Sequence, residues 1–534
     1  MNHVKTTAAS PAVSRILDLF AGPGGLDVAA DVLGYHVTGI EFDREACATR
    51  SAAGMDTFYG DVRRYRASFF PHAQVLTGGP PCQTFTVAGH GAGRKALDQV
   101  LEYIQRLHEV VRAKDAKWQD IFRTWRKISE DLRRKAVLAE GVKAEKRAAE
   151  KDRAATRKAL KDLLTEHGSS PSETKSILKA LEVPGRLVRK NAELGRLMEK
   201  FSTLSAEIDR CRAKLEELGD ERTGLVLQPL WWVIEKSRRP GSTPYEAVVL
   251  EQVPAVMPVW ENYALVLATL GYGTTTQLMY TEAFGVPQTR KRAVLMARLR
   301  ETDIRPVVET HERYQPRSLS ARASGGADGL WEVQENAHGR TPPKEAWVSM
   351  ETALKKARTI QPDLPDRPAF TVVSNYGTGG DPEARGKRDH DAPSATITGK
   401  VSRNRLVHKG TDKDLPRFDR FSFAEAGVLQ TFPVAYPWRG SDQPQQIGNA
   451  VPPRLALHVL RQVLEPELTG DEARARLEQA IADLEVWKPG DAVAVREHGQ
   501  WEGHPLTGRC PRPTHGQSRA GRPLTGAVSK SSAR

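Results

Sequence analysis

Short apolar runs, separated by glycine turns and helical stretches, set the pattern of this chain. Runs that are short and continuously apolar are typical of strands buried on both faces of a sheet. They lie at residues 15–20, 35–42, 74–77, 247–253, 273–280 and 292–299. A helical stretch at residues 26–33 follows the first of them. The alternation of strands with helices predicts an α/β fold with a doubly wound, Rossmann-like sheet.

Residues 102–222 interrupt this alternation with a stretch rich in Ala, Glu, Lys, Arg and Leu. Apolar residues recur there at alternating spacings of three and four, once in residues 118–132 and again in residues 194–218. This spacing is typical of coiled-coil seams. Between the two seams, residues 170–173 form a helix start in which Ser170 is the cap. We therefore expect a charged antiparallel helical hairpin inserted into the α/β domain.

The remaining chain changes character twice. Residues 301–415 are irregular and rich in Arg, Pro, Gly and Asp, which predicts a smaller loop-rich domain, whereas residues 416–487 return to helical order. From Lys488 onward Gly, Pro, Ser and basic residues dominate, so we expect a flexible basic tail. The expected segments are therefore 1–101, 102–222, 223–300, 301–415, 416–487 and 488–534.

Composition narrows the class of partner. The chain has 534 residues, a mass of 59.0 kDa, a net charge of +13 and a pI of about 9.5. A basic excess favours nucleic acid, although an enzyme with a basic surface fits it equally. No long apolar run or signal-like start occurs, so we expect no membrane association. The four scattered cysteines suit neither disulfides nor zinc, which predicts a reducing compartment and no metal site.

A glycine-rich turn follows the first strand, in the sequence DLFAGPGG from Asp18 to Gly25. Such a turn lets the backbone approach a nucleotide-like ligand closely. Glu41 ends the next strand, where α/β cofactor folds place a carboxylate against ribose hydroxyls, and Asp61 lies at another strand end. Either carboxylate taken alone is more typical of a solvated surface. Because no P-loop lysine is present, the expected ligand is nucleoside-like and lacks a polyphosphate.

A second set of reactive side chains lies at other strand ends. Cys82 follows two prolines in GGPPCQTF, and because the prolines restrict the backbone, a nucleophilic thiol is favoured over a structural one. Glu251 ends a further apolar strand in LEQV. Arg290 and Arg292 of QTRKR face the same side in an extended backbone. Each arginine alone is typical of a surface salt bridge.

The order of these motifs resembles that of the DNA cytosine-5 methyltransferases. DLFAGPGG is similar to the family's first cofactor motif, GGPPCQTF to its Pro-Cys loop, LEQV to its Glu-Asn-Val motif and QTRKR to its Gln-x-Arg-x-Arg motif. RFSFAEAGVLQTFP, from Arg420, resembles the ninth motif, and QIGNAVPP, from Gln446, the last. The resemblance covers roughly residues 15–100 and 220–465. It implies a Rossmann-like methyltransferase domain around a target-recognition domain at residues 301–415.

The resemblance also implies a role for each site residue. Cys82 would attack C6 of a flipped-out cytosine, Glu251 would hold the ring edge at N3, and Arg290 and Arg292 would position the base and the glutamate. The cofactor would be S-adenosyl-L-methionine, bound by Phe20, Ala21, Gly22, Gly24, Gly25, Leu26, Glu41, Phe42, Asp61, Val62, Gly79, Pro81, Asn449 and Ala450. Within the recognition domain, Thr396 and Ile397 resemble a short recognition signature and would contact DNA.

Double-stranded DNA is thus the implied partner, in a cytoplasmic, nucleoid-associated enzyme of prokaryotic or phage type. Gln252 departs from the family's asparagine but keeps an amide, so we expect altered packing and retained chemistry. An RNA cytosine-5 methyltransferase and a non-catalytic DNA-binding relative remain as alternatives. The sequence leaves open the target sequence, a cognate restriction endonuclease, the oligomeric state, and whether the hairpin self-associates, clamps DNA or docks a partner.

Overall fold

The computed structural model describes residues 15–81, 91–180, 191–218, 223–302, 304–315, 343–374 and 386–497. The strands are β1 (Arg15–Leu19), β2 (His36–Glu41), β3 (Asp56–Tyr59), β4 (Val75–Gly78), β5 (Ala247–Gln252), β6 (Tyr272–Tyr280), β7 (Lys291–Leu299), β8 (Phe370–Val373), β9 (Lys387–Asp389), β10 (Arg405–His408) and β11 (Arg496–Glu497). The helices are α1 (Gly25–Val32), α2 (Arg44–Ala52), α3 (Gly91–Arg112), α4 (Trp118–Glu166), α5 (Pro171–Ala180), α6 (Ala192–Leu218), α7 (Thr223–Val226), α8 (Gln228–Arg238), α9 (Met257–Thr269), α10 (Met350–Ile360), α11 (Phe423–Leu429), α12 (Gln443–Asn449), α13 (Pro453–Leu464) and α14 (Gly470–Val486).

An eight-stranded sheet forms the centre of the molecule, in the order β11-β3-β2-β1-β4-β5-β7-β6. The first six strands in that order pair in parallel, whereas β7 is antiparallel to both of its neighbours. Apolar clusters cover both faces, one shared with α1 and α13 and the other with α3, α8 and α9. Burial on both faces explains the continuously apolar strands. The predicted doubly wound, Rossmann-like α/β fold is confirmed.

Residues 301–415 build a three-stranded antiparallel sheet, β10-β8-β9, together with α10. Its buried residues, such as Phe370 and Leu406, belong to the same apolar cluster as Ile16 of β1 and Val28 of α1. The smaller loop-rich domain expected at residues 301–415 stays a prediction, and the shared cluster packs this small sheet directly against one face of the central layer.

The predicted insertion is helical. Its longest element is α4, of 49 residues, and α6 runs back along it, because Leu160 and Leu164 near the end of α4 cluster with Leu194 and Met198 near the start of α6. The cap prediction is confirmed, since the N–H of Glu173 donates to Ser170 Oγ at 3.2 Å as α5 begins.

The first predicted seam has a different partner from the one expected. Ile121, Trp125 and Ile128 of α4 are buried in the cluster that also contains Trp231 of α8 and covers one face of the large sheet. A spacing of three and four marks an apolar face but does not identify what that face packs against, so this seam docks on the α/β core and not on the second seam. The expected start of the inserted segment, at residue 102, falls inside α3. This helix packs on the large sheet, so the segment that departs from the α/β core begins after it.

The expected flexible tail does not begin at Lys488. Residues 488–497 return to the sheet, where Arg496 pairs with Phe58 and Glu497 with Tyr59 in a parallel bridge to β3. The free backbone edge of β3 accounts for this pairing, which polar composition alone does not signal. Residues 498–534 lie outside the described part of the chain. Within the described residues, no helix is both long and apolar enough to span a membrane.

Candidate active site

Five parallel strands end at one edge of the sheet, and most predicted site residues lie there. The register pairs Leu19 with Ile40 and with Gly78, Glu41 with Tyr59, and Gly78 with Leu250. The carboxyl ends of β1 to β5 therefore meet at this edge, the position at which open α/β sheets bind ligands. Because β7 is antiparallel, its beginning reaches the same edge, and Gln252 pairs with Ala293.

The glycine turn after β1 is shaped by backbone conformation. Gly22 has φ +54°, and no atom lies within 4 Å of the position that a Cβ would occupy there. Gly24 has φ +101° and precedes the first residue of α1. A Cβ on Gly25 would lie 2.1 Å from the carbonyl oxygen of Val451, so this glycine allows the last motif to approach closely. Phe20, Ala21 and Leu26 flank the same turn.

Glu41 links the turn to β2. One carboxylate oxygen accepts the N–H of Gly22 at 2.7 Å, and the other accepts the N–H groups of Phe42 and Asp43 at 2.8 and 2.7 Å. Burial raises the pKa of the Glu41 carboxyl, and these hydrogen bonds oppose the rise. The arrangement orients a half-buried carboxylate beside an open glycine turn.

An aromatic ring and a second carboxylate extend this surface along the edge. The Phe42 side chain is 66% exposed, and its ring is nearly parallel to that of Tyr59, with centroids 6.3 Å apart. Burial acts to raise the pKa of Asp61, but the ion pair and hydrogen bonds with Arg63 outweigh it and lower that pKa. The following residue, Val62, is buried. An exposed flat ring between two carboxylates suits a nucleoside.

Beneath this surface lies a buried charged group that the sequence analysis missed. The Arg50 guanidinium donates to both carboxylate oxygens of Asp27, at 2.9 and 2.6 Å, and both side chains are almost fully buried. Asp18 accepts a hydrogen bond from Thr77 at 2.6 Å, and burial together with Asp27 raises its pKa well above its usual value. One indirect signal of this pair is Gly39, where a Cβ would lie 2.1 Å from the Arg50 guanidinium.

The approach to the Pro-Cys loop is described up to Pro81, and Cys82 lies outside the described residues. Gly79 N–H donates to Leu19 O at 3.3 Å, which fixes the start of the loop beside β1. The Gln252 amide nitrogen donates to Pro80 O at 2.6 Å, and its oxygen accepts the N–H of Val253 at 2.6 Å. Through these two hydrogen bonds, Gln252 links β5 directly to this loop.

Glu251 and Arg292 form a nearly buried ion pair. Arg292 Nε lies 2.5 Å from Glu251 Oε1, and the two side chains are only 11% and 9% exposed. The other oxygen, Oε2, would lie 3.8 Å from a Cβ on Gly79, which places the carboxylate beside the Pro-Cys loop. Burial lowers the pKa of Arg292, while Glu251 opposes this change. The arginine holds the carboxylate at the sheet edge.

Arg290 has a different environment from Arg292. Its guanidinium donates to the carbonyl oxygens of Ile397 and Gly448, both at 3.0 Å, and of Ala450 at 3.3 Å. Burial and the nearby Arg292 lower the pKa of Arg290 well below its usual value. These contacts join β7 to two distant segments and favour a positioning role for Arg290 over direct contact with a substrate.

The remaining predicted residues lie at this junction. Thr396 Oγ1 donates to Thr289 O at 2.8 Å, and the Ile397 N–H donates to Gln288 Oε1 at 2.7 Å. The Ile397 side chain is buried, which differs from the exposed position expected for a residue that reads DNA, because it packs into the shared core. Asn449 is exposed and accepts a hydrogen bond from Gln445, whereas Ala450 is buried beside Arg290.

A family model described as C-5 cytosine-specific DNA methylase matches residues 14–143 and 246–465, and leaves residues 144–245 between them unmatched.

Curated relatives match shorter stretches. Identity to the type II methylase M.HgiDII of Herpetosiphon aurantiacus is 27% over 286 residues, covering 48% of this chain and 74% of that protein. Identity to M.AplI of Arthrospira platensis is 36% over 74 residues, covering 14% and 21%, and to M.NgoPII of Neisseria gonorrhoeae 35% over 93 residues, covering 17% and 27%. The chain thus spans between about a fifth and three quarters of the length of these relatives.

Two solved structures are similar at low sequence identity. The S. pombe Dnmt2 methyltransferase is 13% identical with a TM-score of 0.39, and the Entamoeba histolytica methyltransferase EhMeth is 10% identical with a TM-score of 0.39. Each comparison covers 85% of this chain and 99% of the other.

Proposed function

The chain belongs to the C-5 cytosine-specific DNA methylase family, and on this premise we propose that it transfers a methyl group from S-adenosyl-L-methionine to C5 of cytosine in double-stranded DNA. The observation that carries the proposal is the Glu251–Arg292 pair beside the Pro-Cys loop. A nearly buried carboxylate held by one arginine can meet the N3 edge of a pyrimidine. The names of the type II methyltransferase relatives support a methyl-transfer activity.

The residues at the sheet edge fit the proposed cofactor. The open space at Gly22 admits a ligand close to the backbone, and Glu41 can meet ribose hydroxyls. The exposed Phe42 ring offers a stacking face, and Asp61 can accept from an adenine amino group. When bound there, the cofactor supplies an electrophilic methyl group on a sulfonium. The residues of this chain orient that donor and hold the base.

The proposed reaction begins with a thiolate. Cys82 sulfur adds to C6 of cytosine, and the ring electrons move toward N3, where Glu251 stabilises the developing charge by a proton or hydrogen bond. C5 would then have enamine character and would form a bond to the methyl carbon as the methyl–sulfonium bond breaks, which would leave a neutral thioether. Loss of the C5 proton to water and breakage of the Cys82 sulfur–C6 bond would restore aromaticity and free the thiolate. Arg292 keeps Glu251 oriented through these steps.

Reaching C6 requires the base to leave the helix, because the ring face is stacked inside a duplex. The small sheet of residues 301–415 shares a core with the catalytic layer, and Arg290 joins the two. We assign target recognition to this region, with Thr396 as a candidate DNA contact. The basic net charge supports phosphate binding.

Radioactive methyl transfer to duplex DNA and to tRNA tests the proposed function. We expect incorporation into mixed-sequence duplex DNA, resistance of the product to RNase, and no incorporation with Cys82→Ala. Bisulfite sequencing of DNA from expressing cells would then identify the methylated context. Transfer to tRNA with none to DNA would overturn the proposed substrate, and full activity of Cys82→Ala would overturn the nucleophile.

A further inference from the structure

The inserted helices form a long arm. At about 1.5 Å per residue, the 49 residues of α4 extend for about 70 Å. The return helix α6 pairs with its distal half through Leu160, Leu164, Leu194 and Met198. Residues 144–245 lie outside the family match, so most of this arm is not part of the matched family domain.

The near end of α4 is fixed to the catalytic layer by aromatic packing. The Trp125 and Trp231 rings are stacked with centroids 4.7 Å apart and planes 6° apart. Trp118 stacks on the same Trp231 ring at 5.7 Å. Ile121 and Ile128 are completely buried beside them. These contacts set the direction in which the rest of α4 extends.

That direction is toward the edge with the candidate active site. α3 begins at Gly91, just after the Pro-Cys loop, and its far end lies beside the end of α9, where His108 meets Thr269 at 2.9 Å. α4 returns along α3, since Tyr103 donates to Asp131. Twelve residues separate Gly91 from Tyr103, so α4 passes the level of Gly91 near Lys143. Residues 144–166 therefore project about 35 Å beyond that edge.

The projecting part of α4 carries a basic stripe, which we define as Arg147, Lys151, Lys158 and Lys161. Successive spacings of four, seven and three residues keep these side chains on one helix face. All four are exposed; the Arg147 side chain is 69% exposed and lies 4.0 Å from Glu140. Ala154 occupies the intervening position on that face. Its small side chain leaves the surface open to a close partner.

The charge of the arm is unequal between its helices. α4 contains 14 Lys and Arg against 9 Asp and Glu, whereas α6 contains 5 against 6. The basic stripe extends for about 21 Å, which corresponds to about six base pairs of B-DNA. A protein-docking face would be expected to add apolar residues, and this stripe consists of cations and alanine.

We propose that the basic stripe binds the phosphate backbone of duplex DNA beside the target site, without reading its sequence. The inference rests on the proposed duplex substrate and assigns the arm a contact outside the catalytic centre. Each phosphate that is neutralised releases condensed counterions, so the contact contributes to affinity in a salt-dependent way. The arm would thus lengthen the footprint of the enzyme on DNA.

The test replaces all four stripe residues together, as Arg147→Ala, Lys151→Ala, Lys158→Ala and Lys161→Ala. Alanine favours helix, so α4 is preserved. A matched control makes the same charge change on exposed positions of α6, as Lys200→Ala, Arg210→Ala, Arg212→Ala and Lys214→Ala. Binding of a long random-sequence duplex is measured by fluorescence anisotropy from about 50 to 200 mM salt.

The stripe variant should lose at least tenfold in duplex affinity at low salt, and its salt slope should fall by about 2–4, at about 0.9 per phosphate contact. The control should stay close to wild type. Equal losses in both variants, or no loss in the stripe variant, would overturn the proposal. So would a stripe variant that binds duplex normally but loses self-association in sedimentation.

Methyl transfer by the wild-type protein separates this inference from the proposed function. If wild type methylates duplex DNA and the stripe variant binds it normally, only the arm proposal fails. If wild type methylates no duplex, the proposed function fails, whatever the arm binds.

Discussion

Gln252 joins two parts of the candidate active site through one amide group. Its nitrogen donates to Pro80 O, in the Pro-Cys loop, and its oxygen accepts the N–H of Val253. The neighbouring Glu251 faces the same loop. The motif resemblance identified Gln252 as a departure from asparagine, but it could not show that the longer amide reaches the loop. Whether an amide reaches a carbonyl depends on backbone placement set elsewhere in the fold.

Replacing Gln252 should therefore slow the reaction without weakening the binding of the cofactor. Gln252→Glu keeps the size but removes the donor to Pro80 O, and Gln252→Ala removes both contacts. An unpaired carbonyl costs about 1–3 kcal/mol; if this cost falls on the transition state, kcat should fall by roughly 5- to 150-fold. Gln252→Asn should recover part of the loss. Cofactor affinity, from calorimetric titration, should stay within about twofold; unchanged kcat in Gln252→Glu would contradict the role.

Asp18 gives a prediction about pH and stability. Its raised pKa means that the folded state holds this proton more tightly than the unfolded state. The stabilisation is complete below the unfolded pKa of about 3.9 and is lost as pH rises through the folded pKa. Asp18→Asn keeps an acceptor for Thr77 and removes the buried charge. Its melting temperature relative to wild type should rise as the pH increases above the unfolded pKa of about 3.9; a pH-independent difference would contradict this.

At the scale of elements, strands buried on both faces were the most predictable. β1, β2, β4, β5, β6 and β7 begin and end within one residue of the predicted bounds. For β3, which has four residues and starts with Asp56, the sequence pattern predicts only a strand end near Asp61. It gave no sign of β11, because two polar residues that pair with a free edge carry no hydrophobic pattern.

The helices of the arm show the same limit of prediction from sequence. Heptad spacing predicted helices in both seams, but only three-dimensional packing assigns Trp125 to the catalytic core through Trp231. Helix propensity and periodicity are local, whereas the partner of an apolar face is decided by the whole chain.

The first part of α4 packs on the catalytic core, whereas the rest projects beyond it. The arm can therefore be shortened in its projecting part alone. Replacing residues 147–211 with a short Gly/Ser linker should preserve cofactor binding and cooperative unfolding, because the buried aromatic contacts of α4 are kept. Replacing residues 102–222 should unfold the protein, since it exposes Trp231 and removes much of α3. Calorimetric titration with cofactor and urea unfolding measure both. Loss of folding in the shorter deletion would contradict the assignment of α4 to two parts.

At the scale of the whole molecule, one sheet edge brings together residues that are far apart in sequence. Parallel strands made it possible to predict that Glu41, Asp61, the Pro-Cys loop and Glu251 would share an edge. The sequence could not predict that Arg290 binds the carbonyls of Ile397, Gly448 and Ala450, because those contacts depend on three segments folding together. The buried Arg50–Asp27 pair was missed for the same reason.

The central claim is that Cys82 forms a transient covalent bond to C6 of a flipped cytosine. The most direct measurement uses duplex DNA in which 5-fluorocytosine replaces cytosine, together with S-adenosyl-L-methionine, after transfer to the unfluorinated duplex has been demonstrated. Fluorine at C5 cannot leave as the hydrogen does, so the adduct should persist in denaturing gels with wild type and be absent with Cys82→Ala. Active enzyme that never becomes trapped, or equal trapping with Cys82→Ala, would contradict the account.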